Sequence, residues 1–141
     1  MDSVLVGLDP TIKDKLQHLT ENERAALEAF VSRLHQHYGD DVLRVDLFGS
    51  KARGDFDAES DIDVLIVARF PEDEHWKHWK QITDIAWDVE LEYGIVMSTV
   101  IKTPVEFNRM QRDRLLLYRN IEEDGITLWM TQRDAPMYKF A

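Results

Sequence analysis

Two acidic side chains, Asp61 and Asp63, open an apolar segment of the chain, and a Gly49-Ser50 pair precedes them with ten residues between. The stretch reads LFGSKARGDFDAESDIDVLIV. Because side chains alternate along a strand, both carboxylates should point to the same face. At ~4 Å and an effective dielectric near ~20, two such charges repel by roughly 4 kcal/mol. We therefore expect either that one carboxyl is protonated or that a cation lies between them.

The residue types around this pair indicate which ligands such a site would take. Carboxylate oxygens without a nearby His or Cys favour Mg²⁺ or Mn²⁺ over zinc, so Asp61 and Asp63 are candidate metal ligands. Gly49 has no Cβ and lets a ligand approach the backbone, and Ser50 adds a hydroxyl. If residues 50–53 form a helical turn, its free amides would bind an anion, with Lys51 and Arg53 beside it. The combination predicts a site for a metal-bound nucleoside triphosphate.

Each half of this pattern also has a plain structural interpretation. An isolated Asp-x-Asp at the start of a strand is usually a solvated strand end, and an isolated Gly-Ser is usually a turn. The functional interpretation depends on their occurring together, joined by one loop and flanked by an apolar strand on each side.

The elements that must position these residues follow from periodicity. A capping box formed by Thr20 and Glu23 starts one helix. On the next helix, helical spacing predicts one apolar stripe made of Trp76, Trp79, Ile82, Ala86 and Val89. The tryptophans at positions 76, 79 and 87 are therefore interpreted as core and interface anchors. The remaining pattern predicts helices over residues 11–19, 20–39, 72–94 and 103–124, strands over 42–48, 61–70 and 95–102, and a short edge strand over 126–130. The segment after Asp63 is nearly all apolar, which is typical of a central strand covered on both faces.

The order of these elements predicts a single domain over residues 1–141, of the α/β (α+β) class. We expect a small mixed β-sheet with helices packed on one face, and a mobile tail over residues 131–141.

Composition narrows the class of protein. The chain has 141 residues, no cysteine and a net charge of −10. The absence of cysteine excludes a disulfide framework, a thiolate zinc site and a cysteine nucleophile. No apolar run approaches the length of a membrane span, and the first residues lack the features of a signal peptide, so we predict a cytoplasmic protein. The negative charge disfavours nonspecific nucleic-acid binding and favours cations or a basic partner.

The motif residues also carry a family resemblance. GSxxRG from Gly49, followed by SDIDVLI, resembles the signature of nucleotidyltransferases of the DNA polymerase β superfamily, in particular the minimal nucleotidyltransferases of prokaryotes. The resemblance implies that Gly49 and Ser50 hold the β- and γ-phosphates of ATP, and that Asp61 and Asp63 hold Mg²⁺ and act in catalysis. It further implies transfer of AMP to a protein hydroxyl, in an antitoxin paired with a HEPN-domain toxin.

The sequence departs from the family pattern at one position. The family commonly places a third acidic residue in a later strand, and the stretch YGIVMSTVIKTP puts Ser98 there. Asp88 and Glu90 lie on the preceding predicted helix, and Asp88 would turn inward only if the helix ended earlier. Two functions therefore stay open: an active nucleotidyltransferase, or a weakly active or inactive antitoxin that neutralises its partner by contact. Transfer to a small molecule such as an aminoglycoside is less favoured, because nothing resembles an additional acceptor domain.

Overall fold

A computed structural model describes residues 14–55 and 60–131 of the chain. The predicted tail lies outside these residues apart from residue 131, and the predicted helix over residues 11–19 begins outside them. The helices are α1 (Glu21–Tyr38), α2 (Ser50–Arg53), α3 (His75–Tyr93), α4 (Pro104–Arg112) and α5 (Leu116–Asp124), and the strands are β1 (Val42–Phe48), β2 (Ile62–Ala68), β3 (Met97–Lys102) and β4 (Ile126–Met130). Among the described helices, none combines the length and apolarity that a bilayer crossing requires.

Helix α1 begins as the sequence predicts. The Glu23 amide donates to Thr20 Oγ1 and the Thr20 amide donates to Glu23 Oε1, each at 2.9 Å. This reciprocal pair satisfies two of the amides that a helix start leaves without partners. The helix ends at Gly39, whose φ of 56° suits a residue without a Cβ.

The strands form one mixed sheet in the order β3-β2-β1-β4. Strand β1 pairs antiparallel with both β2 and β4, and β2 pairs parallel with β3. The α/β class, the mixed sheet and the edge position of β4 are confirmed. Helix α3 provides the crossover between the two parallel strands, as a parallel connection requires.

Helices cover both faces of the sheet, so the prediction of helices on one face is wrong. Val64 and Ile66 of β2 join a core with the buried sides of α1 and α3. Leu65 and Val67 point the other way, into a second core with α4 and α5. Both faces of β2 are apolar, so each face must be covered to remove it from water.

The predicted helix over residues 103–124 is two helices, α4 and α5. Residues 113–115 separate them, and Arg114 has a φ of 51°. The break lets Phe107 of α4 and Tyr118 of α5 pack on the same face of the sheet, with their ring centroids 5.8 Å apart. No glycine or proline marks this turn.

The tryptophans of α3 are not core residues. Ile82, Ala86 and Val89 form the buried side of the helix. Trp76 and Trp79, predicted on the same apolar stripe, lie on its exposed side.

Candidate nucleotide and metal site

The Gly49-Ser50 pair forms the tight turn between β1 and α2. Gly49 has φ 76° and ψ −159°, a combination that is essentially restricted to glycine. The predicted helical turn at residues 50–53 is confirmed: the Ala52 amide donates to the Gly49 carbonyl at 3.0 Å, and the Gly54 amide donates to the Ser50 carbonyl at 2.8 Å. Ser50 is the first helical residue, a position whose amide has no acceptor within the helix.

Asp63 lies directly against this turn. A Cβ placed on Gly49 would overlap the Oδ2 atom of Asp63 and would lie 3.2 Å from its Cγ. The pairing of Phe48 with Asp63 explains the contact, because it brings the end of β1 beside the start of β2. The two halves of the sequence pattern therefore meet in space.

The electrostatics of Asp63 show that its charge is disfavoured in the protein. Burial is the larger cause that raises its pKa, the negative charge of Asp61 raises it further, and the positive charge of Arg53 opposes both. Asp61 is exposed just ahead of β2 and shares the face of Asp63 by strand alternation. A cation between the two carboxylates would relieve this repulsion.

The donor set fits a hard divalent ion that arrives with phosphate. Within residues 14–55 and 60–131, no cluster of three or more His, Cys, Asp or Glu side chains is placed to hold a metal. Mg²⁺ typically binds through one or two carboxylates together with substrate phosphates and water. Asp61 and Asp63 would therefore hold such an ion with oxygens of a triphosphate completing its coordination.

Ser98 occupies the neighbouring position on β3. It pairs in parallel register with Asp63, and its side chain is exposed. Asp88 is an exposed residue of α3, so the alternative in which it turns into the site is wrong. Glu90 is held elsewhere, since its Oε2 accepts from the Met97 amide at 2.7 Å. The strand beside Asp63 thus presents a hydroxyl where the family pattern has a carboxylate.

Lys51 does not face a phosphate site. Its side chain is only 2% exposed, and its Nζ donates to Glu23 Oε2 at 2.6 Å. The prediction that its ammonium binds phosphate is wrong, because that charge already compensates Glu23 in a buried ion pair. A hydrogen bond also joins the Lys51 carbonyl to the His18 ring, and it connects α2 to the segment before α1.

Arg53 is a partly exposed cation at the end of α2. Its side chain is 41% exposed, and its Nε donates to Asp55 at 3.1 Å. Its positive charge lowers the pKa of Asp63, against the larger effects of burial and of Asp61. It stays a candidate phosphate ligand.

Sequence reasoning missed Asp46, a fully buried acid in the middle of β1. It lies on the same face as Asp63, two residues before the Phe48 that pairs with Asp63. Burial raises its pKa, against the opposing effects of Arg44 and of a hydrogen bond with Thr127. The Arg44 Nε donates to its Oδ2 at 2.8 Å. An acidic residue inside the apolar run VDLF was the available signal.

Comparison with known proteins gives a consistent assignment. Residues 26–128 match the family model of the nucleotidyltransferase domain. The provisionally named protein adenylyltransferase MJ0604 of Methanocaldococcus jannaschii is 33% identical over 108 residues, which cover 77% of this chain and 99% of that protein.

Solved structures with a similar overall arrangement include a nucleotidyltransferase from Sulfolobus solfataricus, with 18% identity, a TM-score of 0.48 and coverage of 91% of this chain and 95% of that one. A toxin-antitoxin structure with AMP-PNP has 17% identity, a TM-score of 0.47 and coverage of 84% and 81%. The family model and the archaeal relative carry the assignment: the chain belongs to the nucleotidyltransferase domain family and is a nucleotidyltransferase.

Proposed function

We propose that this protein transfers AMP from ATP to a hydroxyl group of a protein partner, in a reaction that depends on Mg²⁺ or Mn²⁺. The observation that carries the proposal is the contact between the Asp63 carboxylate and the backbone of Gly49. That contact puts a candidate metal ligand beside a turn with hydrogen-bond donors for phosphate. A triphosphate held by the turn would therefore reach an ion held by Asp61 and Asp63.

The chain contributes position and charge to this reaction. Ser50 and the amides at the start of α2 would hold the β- and γ-phosphates, and Arg53 would neutralise part of their charge. The acceptor oxygen forms a bond to the α-phosphorus while the bond to the bridging oxygen breaks. Pyrophosphate leaves with that electron pair, and the acceptor proton passes to water. A bound divalent ion would supply charge stabilisation at the phosphate oxygens.

The name of the archaeal relative supports a protein as the acceptor. The nature of that partner is a finer proposal: we infer a HEPN-domain toxin, with this chain as its antitoxin, from the resemblance carried by the GSxxRG and SDIDVLI motifs. The net charge of −10 supports a partner with a basic surface.

A labelling experiment tests the proposed activity. The protein is incubated with ATP labelled in the α-phosphate, Mg²⁺ and the HEPN-domain protein that we infer as its partner. We expect the label to appear on the partner and to be lost with Asp61→Asn, Asp63→Asn or chelation of the metal. Glu28→Gln is the matched control, because this exposed acid lies on α1 and the same acid-to-amide change there leaves the candidate site untouched. Transfer that persists in the Asp61→Asn/Asp63→Asn variant would refute the assigned roles.

Ser98 supports a second candidate function, neutralisation of the partner by contact with little catalysis. A site with two carboxylates holds a metal less tightly than one with three, and Ser98 lies where the third would be. If contact is sufficient, Asp61→Asn/Asp63→Asn neutralises the partner as well as the unchanged protein does. If transfer is required, that variant still binds the partner but no longer neutralises it. Ser98→Asp is then expected to increase metal affinity and the rate of transfer.

A further inference from the structure

The outer side of α3 carries an exposed apolar strip that we call the tryptophan stripe: Trp76, Trp79, Trp87 and Leu91. Their exposed fractions are 72%, 40%, 58% and 65%. The rings of Trp76 and Trp79 stack at an interplanar angle of 15° with centroids 5.1 Å apart. The helix buries its opposite side in the core, so packing within the described part of the chain leaves the stripe open to water.

The size of the stripe is that of an interaction surface. A tryptophan side chain buries roughly 150–250 Å² when it is covered completely. At the observed exposures, the three rings present on the order of 250–400 Å² per chain, and Leu91 adds to this. In a symmetric dimer each copy contributes this area, and the polar residues around the stripe add more. The total buried area then approaches the roughly 1,200 Å² at the lower limit of stable interfaces.

The charges beside the stripe are arranged to complement a reversed copy of themselves. At 3.6 residues per turn, Lys77, Lys80, Asp84 and Asp88 lie along one flank of the stripe. The positive pair comes first along α3 and the negative pair follows. Lys80 and Asp84 form an ion pair at 2.9 Å, and both side chains are more than 60% exposed. When a twofold axis perpendicular to the helices makes two copies antiparallel, the same flank of each copy meets, so the positive pair of one copy faces the negative pair of the other.

We propose that the tryptophan stripe binds a second copy of this chain, with the two α3 helices antiparallel about a twofold axis near Thr83. In this arrangement Trp76 of one copy meets Leu91 of the other, and Trp79 meets Trp87. Lys77 of one copy faces Asp88 of the other, and Lys80 faces Asp84. A twofold contact is self-complementary, which the order of charges along this helix satisfies. Asp63 points to the opposite face of the sheet from α3, so both candidate sites stay accessible in the dimer.

A matched pair of leucine variants tests the surface. Leu91→Ala removes one end of the stripe, and Leu116→Ala removes a leucine of nearly equal exposure, 68%, that lies on α5. Sedimentation equilibrium is measured for the full-length chain between about 1 μM and about 100 μM at physiological ionic strength. We expect a dimer of the 16.6 kDa chain whose dissociation constant increases at least tenfold with Leu91→Ala and stays unchanged with Leu116→Ala. Thermal unfolding shows that both variants fold.

A charge-reversal cycle tests the antiparallel orientation. Lys77→Glu and Asp88→Lys should each weaken the dimer several-fold, and the variant that combines them should restore it, because each reversed charge again faces its opposite. A chain that stays monomeric throughout this range of protein concentrations would overturn the proposal, even if a different protein were found to bind the tryptophan stripe. A dimer that is insensitive to Leu91→Ala would overturn it as well. A double variant weaker than both single variants would overturn the antiparallel arrangement.

Discussion

Gly49→Ala tests directly whether the turn and the acidic pair form one site. Gly49 has φ 76° and ψ −159°, so alanine would have a strained backbone at a cost of about 1–3 kcal/mol. Its methyl group would in addition overlap Asp63 Oδ2. Overpacking of this kind adds about 1–3 kcal/mol if the carboxylate cannot move away. We expect a total loss of about 2–6 kcal/mol in the free energy of unfolding.

Gly39→Ala is the matched control for this change. Gly39 also has a positive φ, 56°, but a Cβ there would have nothing within 4 Å. It should therefore show the strain without the overlap, and the difference between the two variants in urea unfolding isolates the contact with Asp63.

The functional assay for the same pair is binding of a nonhydrolysable ATP analogue with Mg²⁺, measured by calorimetry. We expect Gly49→Ala to weaken binding at least tenfold, about 1.4 kcal/mol, because Asp63 must shift. Gly39→Ala should leave it unchanged. Equal destabilisation in both variants, together with unaltered nucleotide binding in Gly49→Ala, would refute the reasoning that joins the turn to the carboxylate.

Three further changes probe the groups around the site. Asp63→Asn should stabilise the metal-free protein at neutral pH. Because the pKa of Asp63 is raised in the folded state, ionisation of its carboxyl weakens the fold as the pH rises from about 4 through that raised pKa. In urea unfolding, the stabilities of Asp63→Asn and of the unchanged protein should therefore converge in acid. Lys51→Gln should lower the free energy of unfolding by about 3–5 kcal/mol because it leaves Glu23 uncompensated. Burial alone would raise the pKa of Glu23, but its hydrogen bonds with Lys51 and Thr20 outweigh burial and lower that pKa overall. The loss of unfolding free energy caused by Lys51→Gln should therefore shrink as the pH falls through the pKa of Glu23. A loss that does not depend on pH would contradict the pairing of Lys51 with Glu23. Phe107→Ala should cost about 3–5 kcal/mol in calorimetric unfolding if α4 and α5 form a true second core, and a loss under about 1 kcal/mol would argue against it.

The parts of the fold that the sequence predicted are those with local signals. The capping box at Thr20, the strand over residues 42–48 and the turn at Gly49 each depend on neighbouring residues alone. The apolar part of β2 after Asp63 correctly predicted that both faces of the sheet are covered, and the prediction of helices on one face did not take that signal into account. The break between α4 and α5 at Arg114 had no local signal in the sequence. The apolar residues on either side of it continue at a spacing that a single helix would also have.

The candidate site was predictable where its residues are close in sequence and not where the fold brings distant residues together. Asp61, Asp63, Gly49 and Ser50 are joined by one short loop, so their proximity follows from strand pairing. The partner of Lys51 is 28 positions away, and no pattern in the sequence points to it. Helical spacing gave the apolar residues of α3 but not which of them face the core, which is why Trp76 was assigned to the wrong side.

The double engagement of Glu23 has a consequence for how this protein can diverge. One carboxylate accepts from the Thr20 amide at the beginning of α1 and from the ammonium of Lys51 in α2. An acid at position 23 and a base at position 51 should therefore be inherited or replaced together, because the loss of either one leaves the charge of the other buried without a counter-charge. In a set of homologous sequences, correlated substitution at these two positions would record that dependence, independently of any change at Asp61 and Asp63.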